Sequence, residues 1–200
     1  MVAQPSRQFM TVDEWRALEQ SSHDIKHEYI DGHVYAMAGG SRAHGRIGLN
    51  ACAILADKLD NGPCNVYNSD VAARISPTRY TYPDATVTCD ECDQATTDER
   101  EIQSPRVIIE VLSDTTEAYD RGEKFALYRD CPTLQEYVLV ATKYQVVEVY
   151  RRTSKGWTEY QVYGPYDEIE LMSIGVNIPV AALYKRTTVQ EIGNAPEGEV

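Results

Sequence analysis

Two carboxylates stand where strands should bury apolar side chains, and they are the first candidates for chemistry in this sequence. Asp84 sits in Tyr82-Pro83-Asp84-Ala85-Thr86-Val87, and Glu110 in Val107-Ile108-Ile109-Glu110-Val111-Leu112. A buried charge costs several kcal/mol unless it is paired or binds a metal, so each acid predicts a partner. Alternate residues of a strand share a face: Val107, Ile109 and Val111 point one way, Ile108, Glu110 and Leu112 the other. If the strand of Asp84 pairs with this one in a suitable register, the two carboxylates become neighbours. With a backbone carbonyl they would then offer oxygen ligands to a hard cation, because Mg²⁺ takes one or two carboxylates and keeps several waters. Spacing alone leaves a second reading open, in which both acids face solvent at strand ends.

The elements that must position these groups follow from pattern. Thr11-Val12-Asp13-Glu14 is a capping box and predicts a short helix to about residue 19, with Trp15 and Leu18 as its apolar stripe. Asp31-Gly32 between two alternating runs predicts a two-residue hairpin. Ser41 would cap a long helix to Leu59, whose Ile47, Ala51, Ile54, Leu55 and Leu59 have helical spacing. A strand is expected over 69–75, with Asp70, Ala72 and Arg74 on one face, and the two acidic strands come next. The segment 114–129 reads as a helix capped by Asp114, although Gly122 costs about 1 kcal/mol relative to alanine and can displace its start. Later strands fall at 136–140, 146–151 and 157–162, the last two as a hairpin around Lys155-Gly156, and Pro179 opens a short helix through Tyr184. This order predicts an α/β chain, a mixed sheet with helices against it.

Composition sets the bounds. Two hundred residues with 42% hydrophobic content suit one domain with its own core, at about 10–184, and frayed ends. The net charge of −12 works against nonspecific attraction to nucleic acid, so any such partner needs local positive charge. Candidates are Arg42 and Arg46, Arg151, Arg152 and Lys155, and Lys185-Arg186; a homodimer would combine two such patches. Much of the acidity lies in residues 90–101, six acids against one arginine, which reads as a solvated loop. No apolar run approaches the roughly 20 residues that span a bilayer, and no signal-peptide core opens the chain, so a cytoplasmic protein without membrane contact is expected. The five cysteines, Cys52, Cys64, Cys89, Cys92 and Cys131, then read as reduced thiols. Cys89 and Cys92 have the spacing of half a zinc site or a redox pair, but neither a second pair nor a nearby histidine completes it.

Pro83-Asp84 followed at a distance by Glu110-Val111-Leu112 resembles the PD-(D/E)xK signature of restriction-endonuclease-like nucleases. The ordered set Glu28-Tyr29-Ile30-Asp31-Gly32, Tyr82-Pro83-Asp84, Glu110-Val111-Leu112-Ser113 and Tyr119-Asp120-Arg121-Gly122-Glu123-Lys124-Phe125 more closely resembles the Uma-type family of bacterial restriction endonucleases, from about Met10 to Leu183. The resemblance implies a restriction-endonuclease-like mixed sheet flanked by helices, and metal-dependent hydrolysis of phosphodiester bonds in nucleic acid, DNA in the first place. Asp84 and Glu110 would bind Mg²⁺ or Mn²⁺, with Asp70 a lesser member of the acidic cluster. The lysine expected two residues after the glutamate is Leu112, so the family pattern moves that role to Lys124 on the following helix, with Arg121 on the same helical face. Glu28 would add a carboxylate or a structural hydrogen bond. His44 would touch a phosphate or a water, or be a satisfied polar residue. The alternative is an inactive module on the same fold that binds nucleic acid or protein.

Overall fold

The computed structural model describes residues 9–22, 24–37, 39–94 and 100–192. The chain begins with α1 (Val12–Ser21), the hairpin β1 (His27–Ile30) and β2 (His33–Ala36), and the long helix α2 (Arg42–Leu59). Strands β3 (Asn65–Asn68), β4 (Ala72–Ser76), β5 (Arg79–Thr81) and β6 (Ala85–Thr88) follow, then a 3₁₀ turn, β7 (Glu101–Ile102) and β8 (Pro105–Val111). Next is an interrupted helix: α3 (Glu117–Tyr119), a π-helical turn (Asp120–Lys124) and α4 (Phe125–Arg129). Strands β9 (Glu136–Val140), β10 (Val147–Thr153), β11 (Gly156–Tyr163), β12 (Glu168–Leu171) and β13 (Val176–Pro179) lead to α5 (Val180–Leu183).

Local chemistry explains the first elements. The Thr11 hydroxyl accepts from the Glu14 N–H at 3.3 Å while the Glu14 carboxylate accepts from the Thr11 N–H at 2.8 Å, closing the capping box. Asp31 and Gly32 take φ of 49° and 91°, the left-handed pair that a two-residue hairpin needs. Ser41 caps α2 by accepting from the His44 N–H at 3.2 Å.

The strands divide between two main sheets rather than forming the single sheet expected. One runs β2-β1-β5-β4-β7 and the other β11-β10-β9-β8-β6-β3, with β12 and β13 as a separate hairpin. The larger sheet is mixed, since β8 and β9 are parallel and its other pairs antiparallel. The alternation in β8 is as expected: Val107, Ile109 and Val111 pack with α2 on one face, Ile108 and Leu112 with Tyr128 and Leu134 on the other. Trp15 of α1 packs with Tyr29 and Tyr80 on the smaller sheet. No helix among the described residues is long and apolar enough to cross a membrane.

The cysteines depart from the sequence expectation. Cys64 and Cys89 form a disulfide. The cause is register: β3 pairs antiparallel with β6 as Asn65↔Thr88, so the residues just outside that pair face each other. Cys92 is left as an exposed free thiol. Of the acidic loop, residues 95–99 lie outside the described residues; Asp93 is no idle surface charge, because it accepts from the N–H groups of Gln103 and Ser104 at 2.7 and 2.9 Å.

Candidate active site

The two sheets meet at Asp84. The chain leaves β5 in the smaller sheet, passes through Tyr82-Pro83-Asp84 and enters β6 in the larger. β6 pairs with β8 as Ala85↔Ile109, and one further step of that antiparallel register sets Asp84 opposite Glu110. The Val111 N–H donates to Asp84 Oδ2 at 2.7 Å, and His44 Nε2, from the first turn of α2, lies 3.3 Å from the same oxygen. Burial raises the Asp84 pKa, and His44 and the Val111 N–H oppose the rise without cancelling it.

Lys124 reaches this place from the π turn. Its Nζ lies 2.9 Å from Glu110 Oε1 and 3.0 Å from Glu28 Oε1, with Asp120 Oδ1 at 4.0 Å, all four side chains being buried. Glu28 comes from β1, and its Oε1 also accepts from the Tyr82 N–H at 3.3 Å. Tyr128 of α4 donates its hydroxyl proton to Glu110 Oε1 at 2.6 Å. Burial pushes the Glu110 pKa up to about 8; Lys124 opposes that shift, and the neighbouring Asp120 and Asp84 add to it. Burial also pulls on the Lys124 ammonium, but attraction to Glu110, Glu28 and Asp120 prevails and holds its pKa well above the ordinary value.

Glu28, His44, Asp84, Glu110 and Lys124 thus line one pocket of about 150 Å³. Two sequence candidates stand apart from it. Asp70 lies in the turn before β4, exposed, and pairs with Lys26 at 3.0 Å; the strand starts only at Ala72, so Asp70 is not on the face expected to carry it. Arg121 does not share the face of Lys124: the wider π turn rotates it away, to Glu117 at 3.0 Å and Glu148 at 2.6 Å. Asp114 likewise pairs with Lys143 instead of capping, and the helix starts at Glu117. Asp120 joins the site without having been singled out for it, and Tyr128, read from sequence only as one of several tyrosines that could line the cleft or pack in the core, holds Glu110; one helical turn on either side of Lys124 is the spacing that carried the signal.

The charges in the pocket do not balance. Four carboxylates, Glu28, Asp84, Glu110 and Asp120, surround a single ammonium, and among the described residues no hydrogen bond reaches Asp84 Oδ1 or Glu110 Oε2. Hard oxygen donors with excess negative charge suit a divalent cation of the Mg²⁺ type. Among the described residues no group of three or more His, Cys, Asp or Glu is disposed to hold a metal by itself. A Mg²⁺ here would therefore rest on Asp84 and Glu110 and complete its shell with water and backbone oxygen, as that ion commonly does.

Comparison with known proteins gives the family and the fold. The Uma2 family model, described as "Putative restriction endonuclease", matches residues 12–181. The uncharacterized protein slr1290 of Synechocystis sp. (strain ATCC 27184 / PCC 6803 / Kazusa) is 39% identical over 184 residues, covering 90% of this chain and 95% of its own. A second uncharacterized protein of that strain, sll1609, is 28% identical over 172 residues, covering 85% and 97%. A crystal structure from Anabaena variabilis ATCC 29413, titled as a "putative nuclease belonging to DUF820", superposes with a TM-score of 0.70 at 18% identity, covering 88% of this chain and 97% of that one, a likeness of fold. Because the family model spans every residue of the pocket from Glu28 to Lys124, and a relative matches nearly end to end, the chain belongs to the Uma2 family.

Proposed function

We propose that this protein is a metal-dependent endonuclease that hydrolyses phosphodiester bonds of DNA, with Mg²⁺ or Mn²⁺ held by Asp84 and Glu110. The observation that carries the reading is Lys124, buried within 3.0 Å of Glu110 and Glu28 and supplying the cation that Leu112 cannot. The family description and the nuclease title of the fold neighbour support it. When bound, the metal would polarise the phosphate and lower the pKa of an attacking water. Lys124 has three N–H donors. Two are directed at Glu110 and Glu28, which leaves one for a phosphate oxygen. Held between Glu110 and Glu28, it would stabilise charge in the transition state. Tyr128 fixes Glu110, and the Val111 N–H fixes Asp84.

Plasmid cleavage with Mg²⁺ or Mn²⁺ tests the proposal, with Asp84→Ala as the control. Cleavage by the wild type and loss of about 10³-fold in the variant are expected, an amount equal to roughly 4 kcal/mol of barrier; undiminished cleavage by Asp84→Ala would remove the central claim. One observation favours the second reading, an inactive binding module. Glu110 Oε1 already receives both Tyr128 and Lys124, so that oxygen is satisfied without a metal. Calorimetric titration with Mn²⁺ decides, because the enzyme requires binding that Asp84→Ala abolishes.

A further inference from the structure

Several cations on this chain are already engaged. Arg16, Lys26, Arg79, Arg121 and Lys143 form ion pairs. Arg151 is buried against Glu136, and Arg152 spends its guanidinium on the carbonyls of Leu134, Arg129 and Cys131, so the late hairpin offers little of the positive charge its sequence suggests. Among the described cations without such a partner, which include Lys58, Arg74, Arg100, Arg106, Lys155 and Lys185, Arg42, Arg46 and Arg186 stand out because they lie together. Among the described residues their side chains make no hydrogen bond or ion pair, and the three line one open groove of about 600 Å³ in which no acidic side chain takes part.

The groove is built, and it leads to the active site. Arg42 and Arg46 are one turn apart on α2 and share a face. Arg186 sits at φ 63°, in the left-handed region that a non-glycine residue rarely occupies. The turn that presents it is held by Asn50 of α2, whose Nδ2 donates to the carbonyls of Leu183 and Lys185 at 2.8 and 2.9 Å. Gly45 and Leu49, which line this groove, also line the neighbouring depression that contains His44 and Asp84. Gly45 keeps the ridge between the two low: a Cβ added there would meet nothing within 4 Å.

We propose that Arg42, Arg46 and Arg186 hold backbone phosphates of a DNA duplex whose strand crosses α2 at Gly45 on its way to the catalytic pocket. Guanidinium forks match phosphate oxygens in pairs, and three of them together on a chain of net charge −12 concentrate attraction for a polyanion at one place. The inference rests on the nuclease reading for its second half, the path to Asp84.

The test is fluorescence anisotropy of a labelled DNA duplex without divalent metal, over a range of salt. Arg42→Ala/Arg46→Ala/Arg186→Ala should weaken binding on the order of 10²-fold at 0.1 M salt and reduce the slope of log K against log salt by about 2 to 3. Gly45→Glu, which adds a charge on the path and a better helix former, should weaken binding comparably with the fold intact. Binding and slope unchanged in both variants would overturn the proposal, as would wild-type binding to an RNA duplex but not to DNA. The two readings fail separately. Arginine-dependent binding without cleavage under any divalent metal sinks the nuclease reading and leaves the groove, whereas cleavage that ignores the arginines does the reverse.

Discussion

Two buried ionic clusters adjoin the larger sheet, one within it and one at its seam with the smaller sheet, and they are built on opposite plans. At one, Arg151 meets Glu136 at 3.1 Å and also donates to Tyr163 and the Glu170 carbonyl, while Glu136 accepts from the N–H groups of Met172 and Ser173 at 3.0 Å and from the Ser173 hydroxyl. One positive charge faces one negative charge. At the other, Lys124 faces Glu28, Asp84, Glu110 and Asp120, and carboxylate oxygens remain open to a pocket. The difference teaches that burial of charge does not by itself mark a functional site. A structural pair is closed and neutral; the candidate site carries excess charge and has an opening.

Four substitutions would break or sharpen that contrast. Glu136→Ala leaves Arg151 charged and uncompensated, so urea denaturation should show a loss of about 3–5 kcal/mol, with cleavage per folded molecule unchanged. Lys124→Met should act the other way, costing about 10²–10³-fold in single-turnover cleavage, as removal of a transition-state donor does. A full loss of stability with no loss of rate would move Lys124 into the structural class. Tyr128→Phe removes one hydrogen bond to a charged acceptor, so a stability loss of about 1.5–3 kcal/mol is expected in thermal unfolding. Arg121→Ala breaks a half-exposed pair with Glu117 and leaves the buried Glu148 with only the Tyr160 hydroxyl, so it should cost about 1–2 kcal/mol, without effect on cleavage. An Arg121→Ala defect in rate equal to that of Lys124→Met would show that the π turn does not separate the two residues functionally.

What could be read from the sequence was local. The capping box at Thr11, the Asp31-Gly32 turn and the span of α2 depend on residues a few positions apart, and all three form as expected. The strand alternation around Glu110 also holds, because it depends on period alone. The division into two sheets was hidden, since β5 and β6 are joined by three residues and nothing in their composition says that the chain changes sheet between them. β3 went unread for a similar reason: Asn65-Val66-Tyr67-Asn68 is short, and its hydrophobic partners come from β6 and α2. In the site, Asp84, Glu110, Glu28, His44 and Lys124 come together, whereas Asp70 and Arg121 do not. A regular helix was assumed through Gly122, and one π turn was enough to send Arg121 elsewhere. The disulfide needed the pairing of β3 with β6, which no count of cysteines contains.

The three-residue step from β5 to β6 has a consequence for how this protein can be taken apart. Glu28 belongs to one sheet and Glu110 to the other, and Lys124 binds both, so the ammonium works as a rivet through the seam while Tyr82-Pro83-Asp84 works as its hinge plate. Neither sheet alone holds the complete site. A fragment lacking the smaller sheet would lose Glu28 and the Tyr82 N–H contact together, and a permuted chain opened at Pro83 would cut the joint while keeping every residue. Catalytic competence should therefore track the docking of the two sheets, and disappear in any divided form that lets them part.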